Sequence, residues 1–222
     1  MTIVVAAVSE GVEVGRWLLG HGEDPAWLLA AHGWGGAPTG TRLMRPDVVI
    51  DYEVTACRPI TAPEVPLAPQ GARRLQRLAA YALVVDAGHL LLTQLSERVE
   101  GGAGRWTLPG GGVDPGEAPV DGAVREVHEE AGQVVVVDEL VQVQSRHWIG
   151  DVAAGESPED FHAVRLIHRA TCPEPGPARV VEVDGSTEAA AWVPLAEVGA
   201  LPVVDMVRLA WPHVPGAVSY PL

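Results

Sequence analysis

The sequence contains no lysine, and its positive charge comes from 15 arginines set against 29 acidic residues. The formal net charge at pH 7 is therefore -14. Long nucleic acids and anionic membranes are bound largely through clustered basic side chains. A chain with this charge balance is a poor candidate for binding either of them.

Cysteine is scarce as well. Cys57 and Cys172 are the only two, and they lie far apart in no metal-like spacing, so no disulfide framework is expected. No apolar run approaches the roughly 20 residues that cross a bilayer. The short apolar run near Met1 follows no basic segment, so we interpret it as a strand and not a signal peptide. These absences predict a soluble cytoplasmic protein.

The proline distribution divides the 222 residues. Four prolines fall within a short segment, where they disfavour both helix interiors and central strands: Pro59, Pro63, Pro66 and Pro69. We therefore predict a small N-terminal α+β region over 1–57, a linker or wrapping segment over 58–72, and a main domain over 73–222. Trp17, Trp27 and Trp34 suggest that the N-terminal region is a lid, a dimerisation element or an accessory element. A homodimer is possible.

Secondary-structure patterns are mixed along the chain. Asp24 followed by Pro25 predicts the start of a short helix. The arginine-rich stretch 73–80 suggests another helix, and 81–95 predicts a β-hairpin that turns at Gly88. Strands and helices follow no regular βαβ rhythm, so the pattern favours an α/β fold with a mixed sheet.

One segment combines a helical stripe with unusual charge. Val120, Ala123, Val124, Val127 and Ala131 are spaced as one apolar helix face, and Gly132 is a suitable residue to end the helix. Glu126, Glu129 and Glu130 lie together on another face near the helix C-terminus, where repulsion and the helix dipole are both unfavourable. A bound divalent cation would account for this arrangement, because hard cations take carboxylate oxygens.

A glycine-rich loop precedes this helix. Gly110, Gly111 and Gly112 follow Pro109 and would let backbone groups approach a ligand without obstruction by side chains. Their carbonyl groups could bind a metal, and their N–H groups could meet phosphate. The loop and the carboxylate face together suit chemistry on a metal-bridged phosphate. Taken separately, a glycine turn and an acidic face are usually only structural or solvated features.

The loop and helix resemble the Nudix box, the signature of the Nudix hydrolase family. The pattern spans Gly111 to Gln133, and its fixed positions all match: Gly111, Glu117, Arg125, Glu126, Glu129, Glu130 and Gly132. Chance agreement at one location is on the order of 10⁻⁸. Gln133 departs from the pattern, which has an aliphatic residue there, and this puts local packing in question more than chemistry.

The resemblance implies a Nudix-type α/β/α sandwich with a mixed sheet. It also implies hydrolysis of a nucleoside diphosphate linked to another moiety, with Mg²⁺ or Mn²⁺ as cofactor. Glu126, Glu129, Glu130 and the Gly111 (or Gly110) carbonyl would bind the metal, and Glu129 or Glu130 could act as general base. Arg125 would orient a glutamate. Gly110 to Gly112 and Glu117 would support the loop and the metal shell.

Three points stay open at this level. A further acid from outside the box could contribute, and the candidates are Glu156, Glu159, Asp160, Glu182, Asp184 and Glu188. His147 and Trp148 could contact a base or sugar, or could simply pack in a β-rich turn. The small nucleotide substrate is not identified, and a catalytically weak nucleotide-binding or sensing module is the alternative function.

Overall fold

The computed structural model describes residues 1–99, 101–150, 158–182 and 185–220. Its elements, in chain order, are as follows: β1 Ile3–Ser9, β2 Val12–Leu18, α1 Pro25–Ala31, β3 Trp34–Met44, β4 Asp47–Ala56, β5 Arg73–Asp86, β6 His89–Leu95, β7 Trp106–Thr107, β8 Gly110–Gly112, α2 Pro119–Ala131, β9 Val136–Gly150, β10 Glu159–Thr171, β11 Thr187–Pro194 and α3 Asp205–Ala210. Short 3₁₀ helices cover Leu195–Ala200 and Trp211–His213.

The strands form two sheets. One has four strands in the order β2-β1-β4-β3, with β1 and β4 parallel and the other pairs antiparallel. The other has seven strands, in the order β11-β6-β5-β10-β9 with β7 on β6 and β8 on β5. Mixed sheets combined with helices confirm the predicted α/β class and the small N-terminal α+β region.

The chain contacts divide into two compact units. The first comprises Met1–Ala79, Gly112–Pro119 and Gln142–Leu166, and the second comprises Ala80–Gly111, Val120–Val141 and Ile167–Leu222. The domain boundaries predicted at residues 57 and 72 are not tested by this division and stay predictions, as does the homodimer. Among the described residues, no helix is long and apolar enough to cross a membrane.

In the first unit, α1 begins as the sequence predicts. Asp24 caps it by accepting hydrogen bonds from the N–H groups of Ala26 and Trp27, and Pro25 occupies the first turn, where its missing N–H costs nothing. The proline-rich segment passes alongside without regular structure, and the Ile60 N–H donates to the Ala30 carbonyl. Together with α1, the segment lines a cavity of about 420 Å³. This contact favours a wrapping segment over a free linker.

The helix expected over 73–80 is wrong, because these residues form the first part of β5. The Arg73 N–H donates to the Pro158 carbonyl, and the Leu78 carbonyl accepts from Val113 N–H. These backbone pairings with distant residues override a weak local helix preference. The expected hairpin is confirmed: Asp86 pairs with His89, and Gly88 has a φ of +78°.

The core of the second unit lies on β5 and β6. One apolar cluster places Leu83, Leu90 and Leu92 against residues of α3 and the C-terminal segment. Another places Ala82, Val84 and Leu91 against Val127 and Ala131 of α2. The alternation of β5 and β6 thus presents one set of side chains to α3 and the other set to α2. Helix α2 is held by this second cluster.

Candidate active site

Helix α2 carries the acidic side chains of the candidate site. Ala123, Val127 and Ala131 are fully buried, as the stripe predicts. Val120 is 36% exposed, so the expectation that it packs into the core is wrong; it lies in the first helical turn, before the apolar face meets the sheet. The helix ends at Gly132, whose φ is +66° and whose N–H donates to the His128 carbonyl.

The last glutamate of the box points inward. Glu130 is only 3% exposed, and its carboxylate accepts hydrogen bonds from Gly110 N–H at 2.9 Å, Thr187 Oγ1 at 2.5 Å and Thr93 Oγ1 at 3.4 Å. Burial raises the pKa of Glu130 to about 7, although the bonds from Thr187 and Gly110 act in the opposite direction. This side chain joins the helix to the glycine loop and to strands β6 and β11.

The loop glycines fit their surroundings closely. Gly110 has a φ of +144°, and a Cβ added there would lie 2.3 Å from the Ala80 carbonyl oxygen. A Cβ on Gly111 would lie 2.7 Å from the carboxylate carbon of Glu126. Gly110 therefore excludes larger residues for a steric reason, because its neighbours are backbone atoms, whereas a Cβ on Gly111 would require the Glu126 side chain to move. The Glu126 carboxylate and the Gly111 backbone lie side by side.

Arg125 connects the two outer glutamates. Its Nη1 donates to Glu126 Oε1 at 2.9 Å and to Glu129 Oε2 at 3.1 Å. The pKa of Glu126 is nevertheless raised: burial is the largest cause, Arg125 opposes it, and the charges of Glu129 and Glu182 add to it. The site thus concentrates more negative charge than its arginine neutralises.

Among the candidates that the structure describes, Glu182 is the acid from outside the box that lies beside Glu129. Its N–H and that of Val181 both donate to the Glu129 carbonyl at 2.9 Å, beside the last turn of α2. The other described candidates lie elsewhere: Glu159 pairs with Arg73, Asp160 bonds to His21 and His147, and Glu188 is exposed on β11. Glu156 and Asp184 lie outside the described residues.

The sequence of this chain has relatives among known proteins. The NUDIX domain family model matches residues 75–210, more than half of the chain. The chain belongs to the Nudix family. A MutT-like protein of Streptomyces ambofaciens is 32% identical over 142 residues, which cover 61% of this Nudix chain and 79% of that protein.

Nucleoside triphosphatase NudI of Salmonella agona (strain SL483) is 34% identical over 65 residues, or 29% of this chain. That match covers 46% of the NudI sequence, so the Nudix chain spans about half the length of this relative. A solved MutT NUDIX hydrolase from Burkholderia pseudomallei is 29% identical with a TM-score of 0.43, covering 61% of this chain and 95% of that one.

The remaining residues of the Nudix box lie in the first unit. Glu117 closes its own turn, since its Oε2 accepts from Asp114 N–H and its N–H donates to the Asp114 carbonyl. A Cβ on Gly112 would meet the Arg77 guanidinium at 2.8 Å. The roles of Glu117 and Gly112 in supporting a cofactor stay predictions.

Gln133, the departure from the Nudix pattern, is buried and bonded. Its amide nitrogen donates to the Ala131 and Pro177 carbonyls, and its oxygen accepts from the Gly176 N–H. At a position where the family pattern has an aliphatic residue, Gln133 thus holds the loop that follows β10 by hydrogen bonds. Packing is therefore maintained through hydrogen bonds instead of apolar contact.

Sequence reasoning missed Thr93 and Thr187. They lie 37 and 57 residues from Glu130 in the chain, and no local pattern distinguishes them from other strand threonines. His147 and Trp148 have structural partners: His147 bonds to Asp160, and Trp148 stacks on Phe161 with ring centroids 4.6 Å apart. These contacts agree with packing in a β-rich segment.

Proposed function

We propose that the chain is a Mg²⁺-dependent pyrophosphohydrolase that cleaves the pyrophosphate linkage of a nucleoside diphosphate linked to another moiety, with Mn²⁺ as a substitute cofactor. The observation that carries this proposal is the convergence of Glu126, Glu129 and Glu182 at the C-terminal end of α2, beside the Gly110–Gly111 loop.

The donor set fits a hard divalent cation. Glu126 is partly buried among like charges, with a raised pKa, and a cation would relieve both the repulsion and the loss of solvation. Carboxylates and backbone carbonyls are the oxygen ligands that Mg²⁺ takes while keeping several waters. When bound by Glu126, Glu129, Glu130 and the Gly111 carbonyl, the metal would neutralise the diphosphate and lower the pKa of a bound water.

Different side chains would orient the metal-binding carboxylates and supply the general base. Arg125 fixes the carboxylates of Glu126 and Glu129 in one orientation, which removes side-chain freedom before substrate arrives. Glu130 already accepts three hydrogen bonds, and these favour a positioning role for it in the metal-free protein. Glu129 then has the more accessible carboxylate and is the better candidate for the general base.

A substrate panel tests the proposal. Purified protein with Mg²⁺, and separately with Mn²⁺, is incubated with nucleotide sugars, dinucleotides, ADP-ribose and nucleoside triphosphates, and products are identified by mass spectrometry. Water enriched in ¹⁸O should leave its label on a released phosphoryl group. We include nucleoside triphosphates because the NudI relative carries that name. Turnover of no compound with either metal would contradict the proposal.

Two variants make the test specific. Glu126→Gln should lower kcat by about 10²–10³-fold, because it removes a preorganised charge from the site. The matched control is Glu197→Gln, which changes an exposed glutamate on a 3₁₀ helix and should leave kcat unchanged. Tight binding of a nucleotide that is recovered intact would instead favour the sensing module.

A further inference from the structure

A second group of metal-ligating side chains lies outside the Nudix box, within the first compact unit. His21 lies in the turn after β2, His147 on β9 and Asp160 on β10. One ligand atom from each lies within 4.8 Å of the other two. Nε2 of His21 is 2.9 Å, and Nε2 of His147 is 2.5 Å, from the same Asp160 Oδ1. Three separate segments thus direct ligand atoms at one point.

These side chains are withdrawn from solvent. Their exposed fractions are 11% for His21, 8% for His147 and 2% for Asp160. A buried carboxylate needs compensating partners, and Arg74 Nε donates to Oδ2 at 3.2 Å. The other oxygen, Oδ1, is left facing two imidazole nitrogens. One cation could take the place of the two protons that those nitrogens would otherwise supply.

The surrounding contacts hold this arrangement in place. His162 is fully buried, and its Nδ1 accepts from Gly22 N–H at 2.9 Å, next to His21. Its Nε2 lies 2.8 Å from Ser145 Oγ, which donates to the Glu23 carbonyl. Ser145 can therefore accept from Nε2–H of His162, and both ring nitrogens are occupied. His162 orients the turn that carries His21 and is not itself a ligand.

We propose that His21, His147 and Asp160 bind one divalent transition-metal ion of the Zn²⁺ class. Two imidazoles and one carboxylate are a common donor set for zinc, and three protein ligands leave a fourth position for water. Tetrahedral bonds of about 2.0–2.2 Å place ligand atoms roughly 3.3 Å apart. The two distances from the imidazole nitrogens to Asp160 Oδ1, now 2.9 and 2.5 Å, would therefore each lengthen by less than about 1 Å.

The donor chemistry distinguishes this site from the Nudix box. Imidazole nitrogen selects zinc, cobalt, nickel or copper, whereas magnesium prefers all-oxygen sites. Excess Mg²⁺ should therefore fill the carboxylate site and leave the histidine site free. Metal bound by these histidines would tie the turn after β2 to strands β9 and β10.

Metal titration of the full-length protein tests the proposal. Chelator-treated protein in excess Mg²⁺ is titrated with Zn²⁺ by calorimetry and with Co²⁺ by absorption spectroscopy. We expect one Zn²⁺ per chain and the intense visible bands of four-coordinate Co²⁺. In ¹⁵N spectra, the Nε2 signals of His21 and His147 should shift on Zn²⁺ binding. No Zn²⁺ bound under these conditions would overturn the proposal.

Variants locate the ion. His147→Gln and Asp160→Asn should each weaken Zn²⁺ binding by more than about 100-fold, since losing a direct ligand exceeds the usual effect of losing a supporting residue. His213→Gln, on a 3₁₀ helix in the second unit, is the matched control and should bind like the wild type. Circular dichroism checks that each variant is folded. Zn²⁺ binding that survives in folded His147→Gln but disappears in Glu126→Gln would place the ion at the Nudix box and overturn the proposal.

Discussion

Replacing Gly110 by alanine should displace the glycine loop, which lowers the reaction rate as well as the free energy of unfolding. The new Cβ would lie 2.3 Å from the Ala80 carbonyl oxygen and 2.5 Å from the Tyr81 Cα. Both are backbone atoms, which cannot rotate away. Restoring an ordinary contact of 3.4 Å requires the loop to move by about 1 Å, and an error of that size costs roughly 10²-fold in rate.

The stability cost follows from the same contacts. An L-residue at this positive φ costs about 1–2 kcal/mol. Moving the loop also weakens the Gly110 N–H bond to Glu130, and a hydrogen bond to a charged group contributes about 1.5–3 kcal/mol. The total is about 2.5–5 kcal/mol. Gly104→Ala is the control, because Gly104 also has a positive φ, of +74°, but has nothing within 4 Å of an added Cβ.

Two assays check this prediction. Urea unfolding should show Gly110→Ala losing about 2.5–5 kcal/mol, and Gly104→Ala losing only about 1–2 kcal/mol. The value of kcat/KM, measured on the substrate that the panel identifies, should fall about 10²-fold for Gly110→Ala alone. If both variants lose the same stability and keep wild-type kcat/KM, the steric reasoning about this loop is wrong.

Three further perturbations follow from the structure. Glu182→Gln should weaken activation by Mg²⁺, measured as a higher metal concentration for half-maximal rate, because one carboxylate beside Glu126 loses its charge. His168→Leu should reduce the pH dependence of urea stability: burial lowers the pKa of His168 to about 4, so this group alone removes about 2 kcal/mol of stability as pH falls from 7 to 5, and the variant should lose less than the wild type by that amount. Gln133→Val, which restores the family pattern, should cost about 1–3 kcal/mol in the same assay, because it leaves the partly buried Gly176 N–H without its acceptor.

Each of these has an outcome that would contradict it. Unchanged Mg²⁺ activation in Glu182→Gln would remove that residue from the site. For His168 the sign of the pH effect on stability is fixed, because its pKa is lowered in the folded protein and the unfolded chain therefore binds the extra proton between about pH 6.5 and pH 4. Equal pH slopes of the unfolding free energy in wild type and variant would contradict this prediction. A more stable Gln133→Val would mean that apolar packing outweighs the hydrogen bonds.

Helix α2 could be predicted because its signals are local. The spacing of Ala123, Val127 and Ala131 and the glycine at 132 specify the buried face and the end of the helix within one stretch of sequence. Residues 73–80 could not be predicted in this way, because their strand depends on backbone partners as distant as Pro158. Local propensity is a weak guide wherever such pairings decide the structure.

The candidate site likewise has residues that the local sequence predicts and residues that only the tertiary structure reveals. The fixed spacing of the box identified Glu126, Glu129, Glu130 and Arg125, and Arg125 contacts Glu126 and Glu129; the roles of these residues stay predictions. The two threonine donors to Glu130 come from strands β6 and β11, and only the pairing of these strands places both beside it. Six acids outside the box were equally good candidates in sequence. Glu182 is distinguished by its backbone bond to Glu129, which no spacing rule contains.

The glutamates of α2 look equivalent in sequence but differ in burial and in hydrogen-bond partners. Glu130 accepts hydrogen bonds from Gly110, Thr93 and Thr187, but burial still raises its pKa to about 7, so these bonds compensate its charge only in part. Glu129 is about one-third exposed and shares Arg125. Glu126 is left partly buried, with its pKa raised by burial and by neighbouring acids. A cation gains most where a buried charge is least compensated, so Mg²⁺ affinity should depend on Glu126 and Glu130 more than on the more exposed Glu129.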